Sequence, residues 1–487
     1  MLSQSPVAPL TGEIPDRGTL HDVMRYMPYN RRTLTAMRCV SRRFRSAVQS
    51  QLSPWAPHRE IIVSRYGQCV LFNAQEDEQG RSNFSLYSIS SIGRKFRANS
   101  AKVLGRYHAL VANGLSRLVL HHAPVDNSFF EPLGALTNLK ELELVSCRGL
   151  TSVSEASRIK NLESLTIVFC PVEPDGLSGL HLSHLKKLTL RACSKLSNLN
   201  AIRTETCASL ENVCVEGCSV YDDTSSSFFR DLSSNLRSLD LTGTSIDAAL
   251  MQIPKAALES LTSLLMPATP LHSTTLNALK SSLANRLEHL SLSGCEAIDD
   301  LSALGSLSKL RSLDVSRLSV LQDIECVAQC TQLEIFRCAS TELNSVVFLK
   351  NMVHLRVLDV PNTSLTDYAL MHLEESPELE TVVLTGCQYI SSINAFHQCP
   401  KIRRILCGRT GVTDEGLEML TDCALLEELD LKMTGVTDVN CLADCPSLKV
   451  INVCGSIMAQ DAIQRLLDKP SLEVICDSFE EVDLTDP

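Results

Sequence analysis

Aromatic residues are scarce in this chain: they make up 5% of 487 residues, with one tryptophan. Large rings usually fill much of a core, so another residue must fill this one. No stretch of 18 or more apolar residues occurs, which excludes a transmembrane helix. Residues 1–19 lack the apolar run of a signal peptide, and none is expected. Cations are in deficit, 45 Lys and Arg against 56 Asp and Glu. The net charge of −11 argues against a general nucleic-acid binder and leaves a local basic patch open. A phosphate loop, GxGxxG, HExxH and GxSxG are all missing, so no catalytic or cofactor-binding residue is nominated. The expectation is a chain that is not an enzyme and carries no cofactor.

Leucine supplies what the aromatics do not. A phrase Leu-x-x-Leu-x-Leu-x-x-(Cys/Thr) recurs, clearest at Leu139/Leu142/Leu144/Cys147, Leu185/Leu188/Leu190/Cys193, Leu287/Leu290/Leu292/Cys295 and Leu426/Leu429/Leu431/Thr434. Its first positions fall at 115, 139, 162, 185, 210, 236, 261, 287, 310, 333, 355, 379, 402, 426, 448 and 472, in steps of 22 to 26 residues. That is the period of a leucine-rich repeat.

The phrase alternates apolar and variable residues, the signature of a strand with one buried face. Stacked copies form a parallel sheet. The second half of each unit reads as helical: 412–420 carries Leu417 and Leu420 behind a capping Thr413 or Asp414, and 364–373 reads the same way. The shorter unit at 298–307 has room for a 3₁₀ turn. Helices outside and strands inside bend such a stack. The expected fold class is therefore α/β: a leucine-rich-repeat solenoid, a curved horseshoe with a parallel inner β-sheet, carrying a small α-helical N-terminal module.

Twenty cysteines invite a disulfide framework, but their places oppose it. Cys147, Cys170, Cys193, Cys218, Cys295 and Cys387 close the phrase; Cys207, Cys330, Cys399, Cys423 and Cys445 stand three residues before its first apolar position. A small, weakly hydrogen-bonding thiol suits a buried turn. There is no CxxC pair and no matching His cluster, so no metal site is expected. Many buried thiols imply a reducing compartment.

The variable strand positions face inward and form the candidate binding face. Val145, Val168 and Phe169 stand beside Arg191 near one end, and Arg403, Arg404 and Arg409 near the other. Asp240, Asp314, Arg337, Asp359 and Asp430 lie at strand centres between them. A solvated surface of ordinary mixture is one reading; a concave face for a protein partner is the other, since Phe and Arg are interface residues. His121-His122 is the one adjacent histidine pair and reads as a turn feature.

Residues 19–55 do not follow the repeat. Thr19–Met27 is a short amphipathic helix, Pro28 ends it, and a second helix follows with Leu34, Met37, Val40 and Phe44. Eight arginines lie between Arg17 and Arg45 against one acid, Asp22. With Cys39-Val40-Ser41-Arg42-Arg43-Phe44-Arg45 and the nearby Trp55, the segment resembles an F-box, and its place before cysteine-containing repeats is the layout of F-box/leucine-rich-repeat proteins. Leu20-His21 stands where the family has Leu-Pro, Cys39 and Val40 are transposed, and Phe44 replaces a Trp. The resemblance implies docking on the adaptor Skp1 of a cullin ubiquitin ligase through Leu20, Val23, Met24, Met27, Pro28, Leu34, Val40 and Phe44, with a protein substrate on the repeats. Two other readings stay open: a polar cap on the solenoid and an Arg-rich mitochondrial presequence.

The expected domains are a disordered 1–18, the module 19–55, an irregular linker or cap 56–112 with short strands near Ile61 and Leu71, the solenoid 113–476 and an acidic tail 477–487. The expected compartment is the cytoplasm, with the nucleus, or mitochondria, as alternatives. Against the ligase receptor stands a plain scaffold of a multiprotein or ribonucleoprotein assembly.

Overall fold

The computed structural model describes residues 60–63, 69–76, 82–88, 116–121, 125–134, 137–318, 324–373, 376–458, 460–469 and 471–476. The module 19–55 and the segment 477–487 lie outside the described residues. One sheet of nineteen strands runs through the whole. Its first three strands are β1 (Glu60–Val63), β2 (Cys69–Glu76) and β3 (Ser82–Ser88). Five strands of five residues follow: β4 (Arg117–His121), β5 (Glu141–Val145), β6 (Ser164–Val168), β7 (Lys187–Arg191) and β8 (Asn212–Glu216). Eleven strands of three residues complete it: β9 (Ser238–Asp240), β10 (Ser263–Leu265), β11 (His289–Ser291), β12 (Ser312–Asp314), β13 (Ile335–Arg337), β14 (Val357–Asp359), β15 (Thr381–Val383), β16 (Arg404–Leu406), β17 (Glu428–Asp430), β18 (Val450–Asn452) and β19 (Glu473–Ile475).

β4 to β19 pair in sequence order, each parallel to the last. The sheet is open, ending at β19 on one side and at β3 on the other. The fold is an α/β leucine-rich-repeat solenoid, as the period requires. In the stretch expected to be an irregular linker or cap, the short strands expected near Ile61 and Leu71 are β1 and β2, and with β3 they extend the sheet: β3 and β2 are antiparallel, β2 and β1 antiparallel, and β1 pairs parallel with β4. The alternation Phe84-Ser85-Leu86 is the strand signal that the irregular reading passed over. The last unit is out of step by one residue. Val450 pairs with Glu473, so Leu472 takes the place that Lys449 fills in the unit before, not the first apolar position.

The leucines point to one side. Leu142 and Leu144 are buried while Glu143 and Val145 are half-buried, and the pattern repeats down the stack. A single apolar core runs from Leu118 to Leu472. Each unit packs only on its neighbours, as a solenoid must.

Across the core the chain returns in short helical turns, most of them 3₁₀. The helix expected over 412–420 is a 3₁₀ helix at Asp414–Asp422, and the one over 364–373 splits into an α-helical Asp367–Leu370 and a 3₁₀ Met371–Leu373. The longest α-helix, Ser273–Leu283, has 11 residues. Space explains the tighter winding. A Cβ on Gly416 would sit 2.4 Å from the Ser391 carbonyl oxygen of the previous unit, so adjacent returns nearly touch. No described helix is long and apolar enough to cross a membrane.

Several capping side chains come from the preceding repeat. Thr413 occupies the N-cap position with no side-chain bond, and Asp414 does not cap its own helix. Asp414 instead accepts from the N–H groups of Thr437 and Asp438 in the next unit, at 2.7 and 3.0 Å. Asp222 accepts from Asp247, Ala248 and Ala249, Asp367 from Ser391 and Ser392, and Asn200 from Ser227 and Phe228. These helix starts are satisfied only when the predecessor is folded, which ties neighbours together beyond apolar contact, whereas Asp126, Asp300 and Asp438 accept from Ser128, Ser302 and Asn440 within their own units.

The turn leaving each strand from β5 to β18 is left-handed. Nine non-glycine residues hold positive φ there: Ser146, Phe169, Ala192, Ala268, Arg317, Ser340, Asn362, Arg409 and Met433, with φ between 51° and 59°. Gly217, Gly243, Gly294, Gly386 and Gly455 fill the same place in the other units. The conformation costs a non-glycine residue about 1 kcal/mol or more. It also aims each of these N–H groups at the next unit: Ser146 N donates to Val168 O at 2.8 Å, Phe169 N to Arg191 O at 2.9 Å, and Met433 N to Cys454 O at 2.8 Å. A second row of hydrogen bonds thus runs beside the sheet.

Candidate binding face

The sheet face opposite the core is covered by no element among the described residues. The candidate residues fall on it in three groups and on its edges. Val145, Val168 and Arg191 are register partners on β5, β6 and β7, and Glu216 of β8 continues the row. Phe169 is the left-handed residue after β6, 63% exposed beside Val168. The apolar patch and its arginine are therefore contiguous.

Arg191 is not free to meet a partner unaided. Its guanidinium is ion-paired with Glu216, and its Nη2 lies 4.0 Å from the Cys214 sulfur. Cys214 in turn donates to Asp240 Oδ2 at 3.4 Å. Burial and then the Asp240 carboxylate push the Cys214 thiol up to about 11, so it stays protonated near neutrality. Cys214, Glu216 and Asp240 bring donor atoms within 4.8 Å of one another, which is ligand spacing. Arg191 already supplies the positive charge there, and a metal ion would have to displace it and strip the thiol of its proton.

At the centre, Asp314, Arg337 and Asp359 occupy the same register on β12, β13 and β14. Arg337 Nε stands 3.6 Å from Asp359 Oδ2, while Asp314 accepts from Ser291 Oγ at 3.3 Å. Burial raises the Asp359 carboxyl against the pull of Arg337. Asp430 lies alone on β17, accepting the Lys432 N–H at 3.0 Å.

The arginine cluster near 403–409 is split by the width of the strand. Arg403 and Arg404 enter β16 and pair with Glu427 and Glu428, at 2.7 and 2.6 Å. Arg409 leaves it on the left-handed turn at the other edge, exposed. It borders a shallow cleft of about 430 Å³ lined by Gln388, Arg409, Thr410, Gly411 and Met433.

A row of charge, of which Arg403 is the one member among the candidate residues, runs along the positions just before the strands. The residues after the first leucine of successive phrases are Lys140, Glu163, Lys186, Glu211, Arg237, Thr262, Glu288, Arg311, Glu334, Arg356, Glu380, Arg403, Glu427 and Lys449. Sign alternates at every step except around Thr262. The pairs close in space: Lys140–Glu163 at 2.7 Å, Arg356–Glu380 at 2.8 Å, Lys449–Glu427 at 3.2 Å, and Arg311 with Glu334. Hydrogen-bonded Lys449, with Arg403 beside it, holds the Glu427 carboxyl below its usual range. This rail neutralises one edge of the sheet. Each exposed pair contributes little alone. All described cysteines are thiols, with no disulfide among the described residues.

No protein-family model matches the chain, and no curated protein matches it. Solved structures do share the fold. An internalin of Listeria monocytogenes superposes with a TM-score of 0.52 at 18% identity, over 73% of this chain and 93% of that one. A leucine-rich-repeat protein of Leptospira interrogans gives 0.50 at 19%, over 74% and 83%. At these identities the likeness is one of fold. The chain is a leucine-rich-repeat solenoid.

Proposed function

We propose that this chain binds other proteins on the open face of its sheet and performs no catalysis itself. The observation that carries the reading is the face: sixteen parallel strands, on the order of 70 Å long, with its variable side chains in register and no covering element among the described residues. That is the scale of a protein surface, not of a metabolite pocket. The apolar Val145–Val168–Phe169 patch beside Arg191 has the composition of an anchor. The finer reading is that the chain presents a substrate to a cullin-type ubiquitin ligase, docked on Skp1 through residues 19–55. It rests on the F-box resemblance of that segment.

Affinity purification from the chain's own cell type tests both levels. Wild type is compared with Leu20→Ala/Met24→Ala/Pro28→Ala and with Val168→Asp/Arg337→Glu. Skp1 and a cullin should accompany wild type and the face variant but not the triple variant, and other preys should leave with the face variant alone. If Skp1 is absent from wild type, the ligase reading falls and the recovered assembly defines a scaffold. If the face variant loses no prey, the face is not the binding surface.

A further inference from the structure

The edge at which strands leave the sheet changes character at its C-terminal end. Arg409 follows β16 and Lys432 follows β17; both are exposed, and neither side chain has an ion-pair or hydrogen-bond partner among the described residues. Arg403, Arg404, Lys401 and Lys449, on the opposite edge and the returns of the same units, are all paired. Three exposed apolar side chains flank the two cations: Met433 at 50%, Tyr389 at 67% and Ile457 at 88% exposure. The cleft beside Arg409 opens on the same edge.

The chain leaving the last strand is complementary to this edge. β19 runs parallel to β16, β17 and β18, so the described chain ends, at Cys476, on the edge where Arg409 and Lys432 stand. Residues 477–487 hold five acids and no base, with Phe479, Val482 and Leu484 set between Asp477, Glu480, Glu481, Asp483 and Asp486. Three strand spacings, about 14 Å, separate β19 from β16. Eleven extended residues reach up to about 36 Å. Reach, sign and spacing of the apolar side chains agree.

We propose that the acidic segment 477–487 docks on this edge of its own solenoid, its carboxylates on Arg409 and Lys432 and its apolar side chains on Met433, Ile457 and Tyr389. The edge is then a binding site for acidic, apolar-studded peptide, occupied in the resting chain. A partner segment of the same chemistry has to displace it. This inference stands whether or not the ligase reading does.

Zero-length carbodiimide coupling of the full chain tests it, because it joins a carboxylate to an amine only when the two touch. An equal mixture of ¹⁵N-labelled and unlabelled protein separates links within a molecule from links between molecules. The Lys401–Glu378 and Lys140–Glu163 contacts, at 2.6 and 2.7 Å, serve as folded-state controls in the same digest. The expected result is a Lys432 link to a carboxylate of 477–487, in same-isotope pairs, falling at least fivefold in Arg409→Glu while the control links persist. Control links without the Lys432 link overturn the proposal. So does a Lys432 link in mixed-isotope pairs, which would make the occupant a second copy, and so does a link indifferent to Arg409→Glu.

Discussion

β4 to β8 and β9 to β19 are built from one phrase, yet the first group runs five residues per strand and the second three. The difference starts at the third residue of the strand. In β5 to β8 the centre is Glu143, Thr166, Thr189 or Cys214, and pairing continues two residues further. In β9, β12, β17 and β18 the third and last residue is Asp240, Asp314, Asp430 or Asn452, whose side chain takes the N–H two residues on, at 3.0 to 3.2 Å. An Asx turn replaces the ladder bond. In β10 and β14 that later place holds Pro267 or Pro361, which has no N–H to give. Local chemistry ends these strands early.

The closing residue follows from this. Where pairing ends early, the carbonyl of the second apolar position needs another donor. A hydroxyl provides it: Thr410 Oγ1 donates to Cys407 O at 2.6 Å, Thr434 to Leu431 O at 2.7 Å and Thr363 to Val360 O at 2.9 Å. In the longer strands that carbonyl is in the ladder, and the closing thiols of Cys147, Cys170, Cys193 and Cys218 lie 3.5 to 3.8 Å from the matching carbonyl of the preceding unit, Leu120, Leu144, Ile167 and Leu190 O; Cys295 and Cys387, in the units of β11 and β15, reach back likewise to Met266 and Val360 O at 3.0 and 3.2 Å. Cysteine and threonine look interchangeable in the repeat, but they answer different hydrogen-bonding demands.

Substitutions can break this comparison. The largest effect should come from Leu290→Asp, which buries an unpaired charge at a 2% exposed site in β11. A cost of several kcal/mol should spread to neighbouring units, lowering or splitting the thermal transition. An unchanged transition would refute the strand assignment. Next comes Thr410→Val, which keeps the shape but leaves the Cys407 carbonyl without its hydroxyl donor. It should cost about 1–3 kcal/mol in urea unfolding. Cys193→Ala, in the long-strand region, should cost about 1 kcal/mol, mostly as a small cavity. Equal losses would mean that the carbonyls of the two regions are satisfied alike.

Asp414→Ala removes the cap on the following unit and should cost about 1 kcal/mol at pH 7. Bonds from the Thr437 and Asp438 N–H groups and the Thr437 hydroxyl outweigh burial and hold the Asp414 carboxyl below its ordinary 3.8. A lowered acid contributes stability above its unfolded value and loses it as pH falls through the folded one. The gap between wild type and Asp414→Ala should thus be constant near neutrality and close below about pH 4; Asp414→Asn should keep most of the cap. The smallest effect belongs to Asp314→Thr, within about 0.5 kcal/mol. Its readout is local: hydrogen exchange at Ser316 should change as its N–H leaves the carboxylate for a neighbouring strand.

Period and burial were legible in the sequence because both rest on leucine spacing, which a solenoid cannot vary without losing its core. Strand length was not, since it depends on whether Asp240 or Asp314 turns its side chain back on its own backbone. The returns at 364–373 and 412–420 were read as helical from apolar spacing and a capping residue, and the 3₁₀ turn expected in the short unit 298–307 is found at Ser302–Ser306; the crowding at Gly416 is a contact between units. On the candidate face, the adjacency of Val145, Val168 and Arg191 was readable from register. The neutralisation of Arg191, Arg403 and Arg404 was not, because Glu216, Glu427 and Glu428 stand 24 or 25 residues away in sequence. The separation of Arg409 from Arg403 is the geometry of any strand, whose two ends open on opposite edges.

The charge rail limits how such a chain can grow or shrink. With cation and anion alternating from unit to unit, gain or loss of one unit inside an alternating run sets like charges side by side, whereas gain or loss of two keeps every neighbour opposite. On this edge a pair of repeats is therefore the unit that can be gained or lost without a like-charge contact. Thr262 marks the one place where the alternation resumes in the other phase, with Arg237 before it and Glu288 after. An uncharged residue there is the seam at which an odd number of units can be accommodated.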